Sequence, residues 1–322
     1  MNSRFLTAVS LEEVKAARER IARTVVRTPL LRLPVDTGKQ EVYLKLENLQ
    51  PIGSFKLRGA TNAMALASDE AIAKGVYTAS AGNMAQGVAW GARERGIPCK
   101  VIVPEQAPKA KLDAIERLGG EVIKVPFEEW WKVILDHEYP GMDGLFIHPF
   151  ADQGVMAGNG TVALEIFEDL DDVDAILVPY GGGGLACGIA AAARAISPKT
   201  RVYAVEVETA APVATSMAAG KPTPVTYTRT FIDGIGSAGV SEDIWPLVLE
   251  LLAGVFVVSV AQIAAAVKLL VERSRIVAEG AGASSVAAAL RGNVDARRIV
   301  CIVSGGNIDS EKLATILRGE IP

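Results

Sequence analysis

Short apolar runs that read as strands alternate with helical runs along most of this chain, and that alternation leaves few folds open. Gly75 to Ala79 reads as a strand, Met84 to Arg95 as a helix and Cys99 to Pro104 as a strand. KAKLDAIERLG follows as a helix and EVIKVP as a strand. Further on, Ala175 to Tyr180 reads as a strand, LACGIAAAARAI as a helix and RVYAVEVE as a strand, with Arg298 to Gly306 carrying the last one. The apolar runs are continuous, as expected of parallel strands covered on both faces. Strand–helix–strand repetition implies right-handed crossovers, and so an α/β fold built on open parallel sheet. Ligands of such sheets sit at the carboxyl ends of strands, so the informative residues should lie just after strands.

The alternation from residue 53 to about residue 147 forms one compact set. HPFADQGVMAGNGT, from His148 onward, then reads as a loop-like interruption. At the other end, Ser10 followed by Glu13 spells a capping box that opens an amphipathic helix. This first helix and the strand after it are expected to pack on the later part. The division is therefore a large domain of residues 1–52 and 148–322, with 53–147 inserted as a smaller one.

Composition narrows the function. The chain has 322 residues, half of them apolar, and a formal net charge of −4. A nucleic-acid partner would need a basic surface, so none is expected. Cys99, Cys187 and Cys301 are odd in number and far apart, which suits a reducing compartment and shows no zinc spacing. With only His137 and His148, a multi-histidine metal centre is excluded, and both histidines read as packing or surface residues. The N-terminal stretch lacks an apolar core of signal-peptide length, and no apolar run has membrane-spanning length. A cytoplasmic protein with no membrane partner is the expectation. Phe127, Trp130 and Trp131 read as core or interdomain aromatics.

Four loops could carry chemistry. Lys56 follows the turn signal Pro51 and Gly53 and opens a helix, where the dipole disfavours its charged form. A lysine that can be neutral suits imine chemistry, although a solvated surface lysine is the stronger reading of that segment alone. SAGNMAQG, from Ser80, sits at a strand-to-helix turn where amides could hold a carboxylate or phosphate, or simply form an ordinary turn. Gly181, Gly182, Gly183 and Gly184 stand between a strand and an alanine-rich helix. Four glycines there point to a backbone wrapped around an anion, and the spacing is not that of a nucleotide P-loop. SGGN, Ser304 to Asn307, follows the last strand; Ser304 could meet a ligand ring atom or cap the final helix.

Together, and in this order, SFKLRGA, SAGNMAQG, GGGGL and SGGN resemble the fold-type II pyridoxal-phosphate enzymes, most nearly the threonine/serine dehydratase (ammonia-lyase) branch. The likeness runs from Arg27 to Asn307. It implies two open, twisted, mostly parallel sheets flanked by helices, as in the tryptophan synthase β fold, and a homodimer. It implies pyridoxal 5′-phosphate as cofactor and an amino acid as substrate. By the same resemblance, Lys56 is the lysine joined to the cofactor and the catalytic base. Phe55 packs on the ring, Asn83 meets the ring hydroxyl oxygen, and Ser304 faces the pyridine nitrogen. Gly181 to Gly184 with the Leu185 amide hold the phosphate, and Gly234 lines the ring. Ser54, Ser80, Ala81, Gly82 and Met84 fall on the substrate side. The implied reaction is loss of water from a 3-hydroxy amino acid, giving a 2-oxo acid and ammonia. The alternatives within the same fold are amino-acid racemisation and β-replacement.

Three departures bear on that. Met84 stands where the dehydratase pattern has histidine, which suggests a more apolar pocket and a bulkier β-substituent such as an aryl group. Ala81 stands where the racemases carry a serine acid/base, which counts against racemisation. Glu206 matches a carboxylate of the racemase metal site, but Pro212 replaces its aspartate, leaving at most a monovalent cation held by carbonyls and Glu206. Only a short helix is expected after SGGN, so the resemblance is to the catabolic-type enzymes without a regulatory domain.

Overall fold

A computed structural model describes residues 6–322. The Ser10–Glu13 capping box is present and opens α1 (Leu11–Ile21), whose Val14, Ala17 and Ile21 are buried. An edge strand β1 (Leu30–Arg32) pairs antiparallel with β2 (Glu41–Leu46), and a 3-10 turn follows at Glu47–Leu49. Then come α2 (Lys56–Leu66), α3 (Asp69–Ile72), β3 (Val76–Ala79), α4 (Asn83–Arg95), β4 (Cys99–Pro104), α5 (Lys109–Arg117), β5 (Glu121–Val125), α6 (Phe127–Asp136) and β6 (Leu145–Phe146). Strands β5-β4-β3-β6 form one sheet, every pair parallel.

The chain continues through α7 (Gln153–Asp169), β7 (Ala175–Pro179), α8 (Gly184–Ile196), β8 (Arg201–Val207), α9 (Pro212–Ala219), α10 (Trp245–Leu251), β9 (Gly254–Val258), α11 (Val260–Leu269), α12 (Gly280–Leu290), β10 (Arg298–Val303) and α13 (Ser310–Leu317). The second sheet has the order β1-β2-β10-β7-β8-β9, parallel except for the β1 edge. The continuous apolar runs of β7 and β10 are buried between two clusters, one around Val178, Ile189 and Val202, the other around Leu177, Val205 and Ile263. The alternation predicts α/β architecture on parallel sheet and the resemblance implies two such sheets flanked by helices; both are present.

Two expectations fail. The stretch from His148 is a loop only as far as Asp152, which caps the 17-residue α7 through the Val155 amide. Its glycines are packing residues. A Cβ at Gly158 would run into the Arg58 carbonyl on α2, and one at Gly160 would lie 2.9 Å from the Gly188 carbonyl on α8. Glycine density therefore brings three helix backbones close together, where the sequence suggests a loop. The aromatics of α6 differ too: Phe127 and Trp131 are 50% and 40% exposed, so neither is a core residue.

A buried ionic group ties α2 to the large sheet. Arg58 Nε lies 2.7 Å from Glu47 Oε2 and its Nη1 2.7 Å from Glu165 Oε1, while Lys45 Nζ lies 2.6 Å from Glu165 Oε2. Thr28 Oγ1 donates to Glu47 Oε1 at 2.6 Å and Arg58 Nη1 to Thr161 Oγ1 at 3.0 Å. Two cations and two carboxylates balance, and each side chain has hydrogen-bonding partners, which is what makes their burial tolerable. Arg58 sits two residues beyond Lys56, so this group fixes the turn of α2 that carries the lysine.

Candidate active site

Strand β10 ends at Val303, and the segment after it runs back beside the chain leading into α2. Phe55 donates its amide to the Ser304 carbonyl at 3.0 Å, Gly306 donates to the Gly53 carbonyl at 2.9 Å, and Ser54 bridges Gly305. Gly53 takes a φ of +73°, and a Cβ there would lie 2.6 Å from Asn307 Oδ1, so the turn needs glycine for both shape and room. Lys56 then starts α2 at a helix N-terminus with no side-chain cap. Burial holds its amine down at about 8, partly opposed by the charge of Glu279. The Lys56 Nζ donates to the Pro149 carbonyl at 2.6 Å.

Pro149 belongs to a short segment that His148 fixes. Its Nδ1 accepts the amides of Phe150 at 3.1 Å and Ala151 at 2.7 Å, so Nε2 is the protonated nitrogen facing the Ile134 carbonyl at 3.2 Å. Burial, with His137 beside it, pushes His148 down to about 3, and the ring stays neutral. His148 is thus a packing residue, its ring tilted by 40° against that of the partly exposed His137 with centroids 4.3 Å apart.

Phe150 walls the four-glycine loop. A Cβ at Gly182 would penetrate the Phe150 ring, and one at Gly184 would lie 2.5 Å from the Phe150 carbonyl. Gly183 has a φ of +90°, and no side chain caps α8, which begins at Gly184. The Leu185 side chain is buried in the core, which leaves its backbone at the first turn as the part available to a ligand. On the other side, the Gly181 Cβ position is 3.2 Å from the Gly234 carbonyl, and the Gly234 Cβ position is 3.2 Å from Glu279 Oε1.

Glu279 closes the ring of contacts. It accepts Asn83 Nδ2 at 2.9 Å, and Asn83 Oδ1 accepts Asn307 Nδ2 at 2.8 Å. Contacts therefore run in a closed circuit: Lys56, Pro149, Phe150, the glycine loop, Gly234, Glu279, Asn83, Asn307 and the turn back to Lys56. Ser54 Oγ is fully buried beside Lys56 and has no protein partner. Ser80 Oγ accepts the Gly82 amide at 3.2 Å in the turn after β3, leading into the uncapped α4.

Lys56, Phe55, Ser54, Asn83, Gly181 to Gly184, Gly234 and Ser304 thus converge, with Ser80, Ala81 and Gly82 on the turn leading to Asn83. Two residues do not. Met84, expected in a substrate pocket, is buried in the cluster of Ala60, Val88 and Val101, because position 84 turns into the small core as α4 begins. Glu206, expected beside a cation, accepts the Val213 amide at 2.8 Å and the Ala214 amide at 2.9 Å and so caps α9. Burial raises its carboxyl to about 7. Among the described residues no cluster of three acidic, cysteine or histidine side chains is placed to hold a metal. Ser304 does not cap the final helix; Asp309 does. The sequence reading missed Glu279, Asn307, Pro149 and Phe150. For Glu279 a signal existed: EGAGA places a lone acid before glycines and alanines at a helix start.

Comparison with known proteins agrees with this geometry. Residues 21–305 match the family model described as pyridoxal-phosphate dependent enzyme. The chain is 39% identical over 315 residues to L-threonine ammonia-lyase of Thermotoga maritima, covering 96% of this chain and 78% of that one. It is 38% identical to the catabolic L-threonine dehydratase of Escherichia coli K12, with 96% of both chains covered. The structure of maize serine racemase superimposes with a TM-score of 0.88 at 35% identity, covering 97% of this chain and 98% of that one. The chain belongs to the pyridoxal-phosphate dependent enzyme family.

Proposed function

We propose that this chain is a pyridoxal-phosphate-dependent ammonia-lyase that eliminates water from a 3-hydroxy amino acid, L-threonine or L-serine; the released enamine then takes up water, giving a 2-oxo acid and ammonia. The observation that carries the reading is the circuit itself. It puts a lysine amine held near 8 in one ring of contacts with an uncapped helix N-terminus wrapped in glycine. The residues present fit the cofactor: a half-buried amine for its carbonyl, free amides for its phosphate, and an unpartnered buried hydroxyl at Ser54. Lys56, Phe55, Asn83, Gly181 to Gly184, the Leu185 amide, Gly234 and Ser304 would hold it. When bound, pyridoxal phosphate supplies a carbonyl that links to an amine and a ring that takes up the charge left at Cα.

The chain's own residues do the rest. The Lys56 amine, depressed to about 8, is neutral often enough near neutral pH to take the Cα proton at Nζ. The first turn of α2, pinned by Arg58, keeps that nitrogen in place. The Ser80–Gly82 turn leads into the uncapped α4, which suits a substrate carboxylate. Ser304 is a neutral partner for a ring nitrogen and does not favour its protonation, so charge at Cα is relieved by prompt loss of the β-hydroxyl.

The likeness to a serine racemase favours racemisation as the second reading. Ala81 argues against it, since a methyl group cannot carry a proton to the opposite face. The Glu206 carboxylate accepts the Val213 and Ala214 amides of α9. A panel of L-threonine, L-serine and an aryl-bearing 3-hydroxy amino acid, scored for ammonia and 2-oxo acid, tests the reading. Oxo acid from threonine or serine is the expected result. Turnover to the D-enantiomer without ammonia would replace it with racemisation.

A further inference from the structure

Glu279 is buried, yet among the described residues no lysine, arginine or histidine nitrogen lies within 4.0 Å of it. Its one side-chain hydrogen bond there is the 2.9 Å contact from Asn83. An unpaired buried carboxyl is costly, and an apolar residue would serve the packing better. Instead the fold makes room for it: a Cβ at Gly305 would lie 2.6 Å from Oε1 and one at Gly234 3.2 Å. The Glu279 amide also donates to the Gly305 carbonyl at 3.0 Å, which holds the residue against the end of β10.

The hydrogen bonds around it form a chain whose direction can be read without ambiguity. The Ile52 carbonyl can only accept, so the Asn307 atom 2.8 Å from it is the nitrogen. That nitrogen also donates to Asn83 at 2.8 Å, so the Asn83 atom it meets is the oxygen. The other end of the Asn83 amide must then be its nitrogen, and it donates to Glu279. Asn83 Nδ2 carries two hydrogens, and Glu279 takes one.

Resting on the function proposed above, we propose that Glu279 is a positioning residue. With Asn307 at the opposite end, it locks the Asn83 amide in the one orientation that leaves an N–H, not a carbonyl, free for the cofactor. Without either anchor the amide could turn over and set its oxygen against an oxygen of the ligand. The required property of Glu279 is an acceptor oxygen at that place. The substitution Glu279→Gln retains one, and Glu279→Ala removes it.

The test is a double-mutant cycle on pyridoxal-phosphate binding to apoprotein, read as Kd by titration and as the position of the visible band. The expected result is a Kd raised about tenfold in Glu279→Ala and in Asn307→Ala, the size of one lost hydrogen bond. Glu279→Gln should stay within about threefold of wild type. On an Asn83→Ala background, Glu279→Ala should add nothing further. The unfolding midpoint of each apoprotein is measured alongside, and if Glu279→Ala does not fold, Asn307→Ala and Glu279→Gln carry the cycle. An unchanged Kd and band in the folded alanine variants would overturn the proposal, as would an equal loss with and without Asn83. Wild-type protein that takes up no cofactor would overturn the function itself, and this inference with it.

Discussion

The Lys56 amine and the Pro149 carbonyl oxygen are 2.6 Å apart, and that contact joins the start of α2 to the segment walling the glycine loop. The amine therefore rests on a backbone acceptor rather than on a carboxylate, and burial lowers it to about 8 against the opposing charge of Glu279. Lys56→Ala should abolish the visible absorbance of purified protein and lower turnover by roughly three orders of magnitude or more, because it removes both attachment and proton transfer. Absorbance spectra and ammonia release check both losses. Retained turnover would sink the proposed mechanism.

Gly182 faces the Phe150 ring with no space for a methyl group. Gly182→Ala should therefore push the loop out of shape, raising the cofactor Kd by about tenfold to a hundredfold, in line with the usual cost of overpacking. Adding Phe150→Leu opens the wall and should recover part of the loss. A Gly182→Ala protein with wild-type affinity would mean that the loop gives way elsewhere.

The group formed by Lys45, Glu47, Arg58 and Glu165 balances two cations against two carboxylates. Glu165→Gln leaves two buried cations facing one carboxylate and should destabilise the fold by about 3–5 kcal/mol. Lys45→Met combined with Glu165→Gln restores the balance and should cost less than the single change. Urea unfolding of the two variants gives the ordering directly.

The fold was legible where one physical signal dominated. Buried parallel strands such as β7 and β10 need unbroken apolar runs, and Ser10 with Glu13 leaves a helix start little choice. Legibility ended where one residue type serves two purposes. Gly154, Gly158 and Gly160 read as a loop because glycine disfavours isolated helix, yet here they let α7 approach α2 and α8. In the site, residues on contiguous motifs were findable: Lys56, Asn83, Gly181 to Gly184 and Ser304. Glu279 was harder to find: EGAGA marks an acid at a helix start, but its role lies in contacts with Asn83 and Gly305 that the local pattern does not carry. Met84 misled for the converse reason: its motif neighbours face the site while its own side chain turns into the core.

His148 ties the stability of the fold to pH. An exposed histidine titrates near 6.5, and burial in the fold, reinforced by His137, lowers this one to about 3. Between those values the unfolded chain binds the proton and the folded chain does not, so acid favours unfolding. The contribution of His148 to stability is complete above about pH 6.5 and declines as the pH falls toward 3. Its acceptor Nδ1 holds the Phe150 and Ala151 amides, so protonation would also release the segment that contacts Lys56 and the glycine loop. His148→Asn keeps an acceptor near that place and has no proton to gain. Its unfolding free energy should be lower than wild type at pH 7 and should fall less steeply between pH 6.5 and 4. Parallel stability curves for the two proteins across that interval would show that the ring is not the group that responds.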